Sequence, residues 1–173
     1  KELLAKSFLD LAKSRPLDKI VIKDITNHCS MTRESFYYHF SDRYELMFWI
    51  YEEQIKNMIE DSLLKEPIIK VWARSLQMMK KHLYYYKKAL EDEIYFRLIL
   101  ESFIHNITYC IESQNFQEEL SNPDIQFAIR FYANGLLNMT SEWIFKGAKE
   151  DEIVLSKRMC VIMPNILMKY YIF

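Results

Sequence analysis

An all-α fold is what this sequence predicts, with a three-helix helix-turn-helix module at the N-terminus and a larger helical domain after it. Three observations point there. Only 2 glycines and 4 prolines are spread over 173 residues, too few for the tight hairpins of a β-protein or for phosphate-cradling glycine loops. Apolar residues recur at three- and four-residue spacing in one run after another. Half of the residues are hydrophobic and 15% are aromatic, enough to close a substantial core and to exclude disorder.

The first helix carries Leu4, Phe8, Leu11 and Ala12 on one face and stops at Arg15 and Pro16, since proline disfavours helix at the residue before it. A second, short one holds Ile22, Ile25 and Cys29 and ends at Ser30. Thr32 then supplies an N-cap hydroxyl for a third helix through Phe36 to Phe40. Ser41 and Asp42, with Glu45 three residues after Asp42, form a capping box for a long helix through Leu46, Ile50, Ile55 and Ile59, ending around Lys65 before Pro67. Beyond it the runs lengthen: one helix over 68–86, another from Ile94 to about Phe116 with Asp92 at the junction. Asn122-Pro123 reads as a helix start and Gly147 as a left-handed C-terminal cap. The helix between them is apolar almost all round and needs partners on several sides. The last helix, about Glu152 to Tyr170, is expected to bend at Pro164.

Charge says little about partners. Acidic residues number 24 and basic ones 23, so no global field draws the chain to nucleic acid, and Lys1 to Arg43 carries eight basic against six acidic residues. Lys80, Lys81, Lys87 and Lys88 read as a solvated helix face. The apolar run Leu98 to Ile111 is interrupted by Glu101, Ser102, His105 and Asn106, so no membrane span is expected. The first residues do not read as a signal peptide, and the chain opens at Lys1 rather than methionine, which leaves room for a preceding basic arm. Three scattered cysteines, Cys29, Cys110 and Cys160, fit reduced thiols and a cytoplasmic location better than a disulfide framework. His28 beside Cys29, and His105 with Cys110, fall short of metal-ligand spacing. No metal or cofactor is expected, nor an assembled nucleophile, base and orienting group.

The second and third short helices carry the functional signal. Phe36 and Phe40 lie four residues apart on one face and anchor the helix, which turns Arg33, Glu34, Tyr37 and Tyr38 elsewhere. The second helix of such a pair fits a DNA major groove, with its first side chains at the bases and hydroxyls or cations on phosphates.

In this segment the chain strongly resembles the TetR family of bacterial transcription regulators. Their recognition element runs Ser or Thr, a basic residue, two small residues, Leu/Phe-Tyr-x-His/Tyr-Phe, then a Lys and a Leu. The matches are Thr32, Arg33, Ser35, Phe36, Tyr37, His39, Phe40, Arg43 and Leu46. The resemblance implies a DNA-binding domain over 1–46 and a helical sensing and dimerisation domain over 47–173. It implies that Thr32, Tyr37 and Arg43 contact phosphates and that Lys23 faces the backbone. Arg33 and its neighbours Glu34, Ser35 and Tyr38 would read bases, and His39 would either touch phosphate or pack. Three positions depart from the pattern: Ser30 stands where glycine is usual, Val21 where a Ser/Thr cap is common, and Glu34 where the residue is small. The run from Phe36 to Ile50, and Tyr86 to Leu90, resemble the subgroup of dihydroxyacetone kinase operon activators, whose regulatory domain answers to a protein coregulator.

These features imply a transcriptional regulator that binds a palindromic double-stranded DNA operator as a homodimer and answers to a small-molecule effector or a protein coregulator. The competing reading is a helical small-molecule carrier or enzyme with an incidental helix-turn-helix. Within the aromatic interior, Trp72, Phe103, His105, Tyr109, Phe131, Asn134 and Asn138 are the candidates to line a ligand pocket. Phe127, Phe131, Met139, Trp143, Met159, Met163 and Ile166, on the last two helices, are the candidates for the dimer interface.

Overall fold

The computed structural model describes residues 1–59, 62 and 65–173, with side chains described outside 56–61, 63 and 64. Among the described residues there are ten α-helices and no strand: α1 Glu2–Ala12, α2 Ile22–His28, α3 Arg33–His39, α4 Arg43–Ile59, α5 Ile68–Lys81, α6 Leu83–Ala89, α7 Glu93–Glu112, α8 Pro123–Phe145, α9 Glu152–Val161 and α10 Asn165–Met168. Two short 3₁₀ helices, Leu17–Lys19 and Gln117–Ser121, sit in connections.

Capping side chains set half of the helix starts. Thr32 Oγ1 accepts from the Ser35 N–H at 3.1 Å. Asp42 accepts from the Glu45 N–H at 2.9 Å while Glu45 reaches back to the Ser41 N–H at 2.6 Å, a reciprocal arrangement that satisfies two orphan donors. At α2, where Val21 has no capping side chain, Asp24 accepts from the Val21 N–H at 3.2 Å. Asp92, Asn122 and Asp151 cap α7, α8 and α9 in the same manner.

Three predicted helices differ. The run over 68–86 is two helices broken at His82, and the helix expected to reach Phe116 ends at Glu112, where Asn115 adopts a positive φ of 64°. The last helix breaks at Pro164 rather than bending, because proline lacks the N–H that would continue the ladder. α4 is described to Ile59, while Ser62 and Lys65, near its expected end, lie in turns; residues 60, 61, 63 and 64 lie outside the described residues.

The first three helices fold on the start of α4: Leu4, Phe8, Ile25, Phe36, Phe40 and Leu46 are completely or almost completely buried together. The boundary expected at 46/47 falls inside α4, whose later turns pack on α5 and α7. In the second part α9 lies along α5 and α7 along α8. Both parts share one continuous hydrophobic core, which passes through the Phe8 and Tyr85 rings, 6.2 Å apart and edge-on.

Candidate functional site

The α2–α3 turn decides what α3 presents. Met31 N–H bonds to Thr26 O at 2.9 Å and Ser30 takes a left-handed φ of 55°, closing α2 with the geometry glycine normally supplies. Burial of Phe36 and Phe40, rings 5.7 Å apart, then leaves Thr32, Arg33, Glu34, Tyr37 and Tyr38 exposed, Tyr38 at 85%. Lys23 is exposed as well, and Ser35 and His39 are half-buried. Tyr38 leans on His39 with ring centroids 5.0 Å apart. An exposed aromatic pair beside a cation, on a capped helix with no covering element, has the donors and the shape to meet a duplex groove. The Glu34 carboxyl is held below the usual range by hydrogen bonds from its own backbone N–H and the Thr32 hydroxyl, so it is an anion turned toward the N-terminus of α3, where the helix dipole favours it.

Arg43 is placed differently from the phosphate contact that the resemblance implies. Its guanidinium, 24% exposed, donates to Leu17 O at 3.0 Å and to the Tyr44 hydroxyl at 3.0 Å, and lies 3.9 Å from Asp92. Tyr44 in turn donates to Asp92 Oδ2 at 2.9 Å, while Asp92 Oδ1 accepts from the first N–H groups of α7. Arg43 therefore ties the helix-turn-helix to the second part of the chain. Lys88 does the same from α6. Its ammonium donates to Ala12 O at 3.2 Å and Arg15 O at 2.7 Å, satisfying carbonyls at the end of α1. Lys80 pairs with Glu152 at 2.7 Å, so two of the four lysines read as a solvated face have structural partners. Sequence spacing held no signal for these contacts, which join residues far apart in the chain.

A cavity of about 70 Å³ opens between α4, α5, α7, α8 and α9, lined among others by Tyr51, Trp72, Met79, Phe103, Asn106 and Thr140. Trp72 and Phe103 were expected there. His105, Tyr109, Phe131, Asn134 and Asn138 are not in its wall: His105, Phe131, Asn134 and Asn138 are exposed, and the two asparagine amides donate to the carbonyls four residues earlier, Arg130 O and Asn134 O. The stripe of α8 carrying Phe131, Asn134 and Asn138 faces away from the chain's own core, so their pocket assignment does not hold.

The expected dimer residues separate into two groups. Phe127 and Phe131 are 71% and 68% exposed with rings stacked 6.1 Å apart, and Met139 and Ile166 are also exposed. Trp143, Met159 and Met163 are buried in the chain's own core. Trp143 donates its indole N–H to Glu150 O, and Met159 O accepts from the buried Tyr132 hydroxyl at 2.6 Å; these three leave the interface.

The sequence model of a TetR-type transcriptional regulator C-terminal region matches residues 66–165. The chain belongs to the TetR family of transcriptional regulators. A TetR-family regulator is not an enzyme, which sets aside the carrier or enzyme reading. The chain is 24% identical over 160 residues to the HTH-type dhaKLM operon transcriptional activator DhaS of Lactococcus lactis subsp. lactis (strain IL1403), covering 88% of this chain and 83% of that one. A solved structure named dihydroxyacetone kinase operon activator DhaS superposes with a TM-score of 0.67 at 22% identity, over 98% of this chain and 94% of the other. FadR of Bacillus subtilis, solved with stearoyl-CoA, has a TM-score of 0.58 at 13% identity, covering 95% and 97%. These TetR-like structures share the all-α fold. No helix among the described residues is long and apolar enough to cross a membrane.

Proposed function

We propose that this TetR-family regulator works in the cytoplasm as a homodimer that grips a palindromic double-stranded operator with two copies of residues 1–46, while residues 47–173 sense an effector and dimerise. The observation that carries the DNA contact is the outward face of α3: Thr32, Arg33, Tyr37 and Tyr38 are exposed while Phe36 and Phe40 fix the helix from beneath. Arg33, Glu34, Ser35 and Tyr38 read base edges; Thr32, Tyr37, His39 and Lys23 hold the backbone. Arg43 orients the head through Leu17 and Asp92 instead of touching phosphate.

The dimer contact is the apolar strip of Phe127, Phe131 and Met139 with Ile166, continued by exposed Ile153, Val161 and Ile162. Gly135 supports a close approach there. A Cβ added to it would meet no atom within 4 Å, so the chain's own packing does not require a glycine that weakens a helix interior. Two-fold symmetry makes the operator palindromic. Control through the cavity is the first reading for the effector. Its volume of about 70 Å³, against the roughly 300 Å³ or more of drug-sized sites, also favours a second reading, a protein coregulator acting on the outer surface.

Selection of the purified protein on a random duplex library at several salt concentrations tests the proposal. Enrichment of a two-fold symmetric sequence with strongly salt-dependent affinity is the expected result. Salt-dependent binding without any enriched sequence overturns operator recognition, and a monomer at equilibrium in sedimentation overturns the homodimer.

A further inference from the structure

The surface of α3 that would meet a polyanion carries a carboxylate. Glu34 is exposed between the exposed Arg33 and the half-buried Ser35. Hydrogen bonds from its own backbone N–H and from the Thr32 hydroxyl hold its carboxyl below the usual range, so it is ionised at neutral pH. Among the described residues neither Glu34 nor Arg33 makes a salt bridge. Phosphates repel such a group, because like charges brought together across an interface cost affinity. The helix does not need it for its own stability either. Thr32 Oγ1 already accepts from the Ser35 N–H at 3.1 Å, and the core contact of α3 is made by the buried Phe36 and Phe40. Base edges are the remaining partner.

Hydrogen-bonding capacity then selects the base. An ionised carboxylate only accepts hydrogen bonds, and a guanidinium only donates them. In the major groove guanine shows two acceptors, N7 and O6; adenine shows an acceptor and a donor; thymine shows an acceptor and a methyl group. Cytosine alone shows a donor, its N4 amino group, with no acceptor beside it. Glu34 therefore gains a bond at cytosine and meets an acceptor on each of the other bases. Arg33 has the opposite set and matches guanine. Consecutive Cα atoms are about 3.8 Å apart and successive nucleotides of one strand about 3.4 Å, so the two side chains reach neighbouring bases or the two bases of one pair.

We infer that Glu34 is a specificity-determining residue that reads a cytosine through its N4 amino group in each operator half-site, beside a guanine read by Arg33. The inference rests on the reading that α3 lies in the major groove of an operator, and it names the base that Glu34 selects. A small residue at this position neither accepts that bond nor repels the acceptors of the other bases.

Full-length wild type, Glu34→Ala and Glu34→Gln test it, each titrated against the operator that the wild type selects from a random duplex library and against every single base-pair change of that operator. For the wild type, one position in each half-site is expected where replacing cytosine weakens binding roughly 5- to 150-fold. Glu34→Ala is expected to flatten that position, to leave the preferences elsewhere unchanged, and to bind random duplex at least as tightly as the wild type, since an anion has left the face. Glu34→Gln is expected to move the preference there from cytosine to adenine, because the donor and acceptor of an amide match adenine N6 and N7. Melting curves that coincide with the wild type show that neither change acts through the fold. An operator-selecting wild type whose preferences all survive in Glu34→Ala overturns the inference and leaves operator recognition standing. A flattened position whose preferred base is not cytosine overturns it as well. Wild-type binding with no enriched sequence removes operator recognition itself, and this inference with it.

Discussion

Tyr44 donates its hydroxyl hydrogen to Asp92 Oδ2 at 2.9 Å, joining the first turn of α4 to the N-cap of α7. The same carboxylate holds the first N–H groups of α7 and lies 3.9 Å from Arg43, which is bonded to Leu17 O. Head and regulatory helices thus meet at one partly buried carboxylate. Tyr44→Phe removes the bridging hydroxyl and leaves the cap. One hydrogen bond is worth about 1 kcal/mol, or roughly fivefold in an equilibrium constant, so operator affinity is expected to change about that much while α7 keeps its stability. Asp92→Ala also removes the cap, a further loss of about 1 kcal/mol in unfolding free energy. Urea denaturation beside operator titration checks this pair. Operator affinity unchanged in both variants refutes the coupling.

Arg33→Ala is expected to reduce preference for the selected operator over random duplex by roughly 5- to 150-fold, since the loss of a good side-chain contact to a base edge costs about 1–3 kcal/mol of discrimination. Lys23→Ala and Tyr37→Phe are expected to weaken binding uniformly across sequences, and Lys23→Ala to lower the salt slope by about one. Titrations at three salt concentrations separate the two behaviours. If Arg33→Ala keeps its sequence preference, base reading lies elsewhere on α3.

How legible this was in the sequence varied with distance along the chain. Thr32, Phe36, Phe40 and the Asp42–Glu45 pair act on neighbours three or four residues away, so their roles follow from spacing. Arg43 was matched to a motif position, but its partners Leu17 and Asp92 are brought to it by the fold, and a motif carries no record of them. Asn134 and Asn138 went the same way. Polar residues on an apolar helix signal either a pocket or an outer face, and only the packing of α8 against α7 and α10 chose the outer face. The cavity's own polar groups, Asn106 and Thr140, have no distinguishing neighbours in sequence.

Ser30 pays a conformational cost at φ 55°, the left-handed region that disfavours any residue with a Cβ by about 1–2 kcal/mol. Ser30 is exposed, so Ser30→Gly removes strain without removing packing. A gain of about 1 kcal/mol is expected, with the melting temperature raised by about 2–4 °C for a chain of this size. Calorimetry of the two proteins checks it, and a lower melting temperature for the glycine variant means that the Ser30 side chain makes a favourable contribution of its own.

Phe131→Glu and Trp143→Ala should fail in opposite ways. Phe131 is exposed and stacked on Phe127, so a charge there is expected to give a folded monomer in sedimentation. Trp143 is 5% exposed and bonded to Glu150 O. Its truncation is expected to cost about 3–5 kcal/mol of unfolding free energy, as for a buried aromatic residue. A stable, monomeric Trp143→Ala protein would return Trp143 to the interface.

Acid should destabilise the protein in two stages. Burial lowers the His82 pKa; the folded state resists its protonation, so its contribution is present above the ordinary histidine value near 6.5 and is lost as pH falls toward the lower folded value. Carboxyls follow, four of them in addition to Asp10 and Glu34. The Ser41 N–H lowers Glu45, Arg74 lowers Glu66, Lys169 and then Tyr170 lower Glu119, and Lys80 lowers Glu152. A depressed carboxyl contributes stability in full above its unfolded pKa, near 4.3, and loses it as pH falls through the folded value. Urea midpoints are expected to slip slightly between pH 7 and 5 and to fall steeply below about pH 4. Glu152→Gln is expected to make the lower limb shallower and His82→Gln the upper one. A midpoint constant from pH 6 to 3 would show that these pairs exist equally in the unfolded chain.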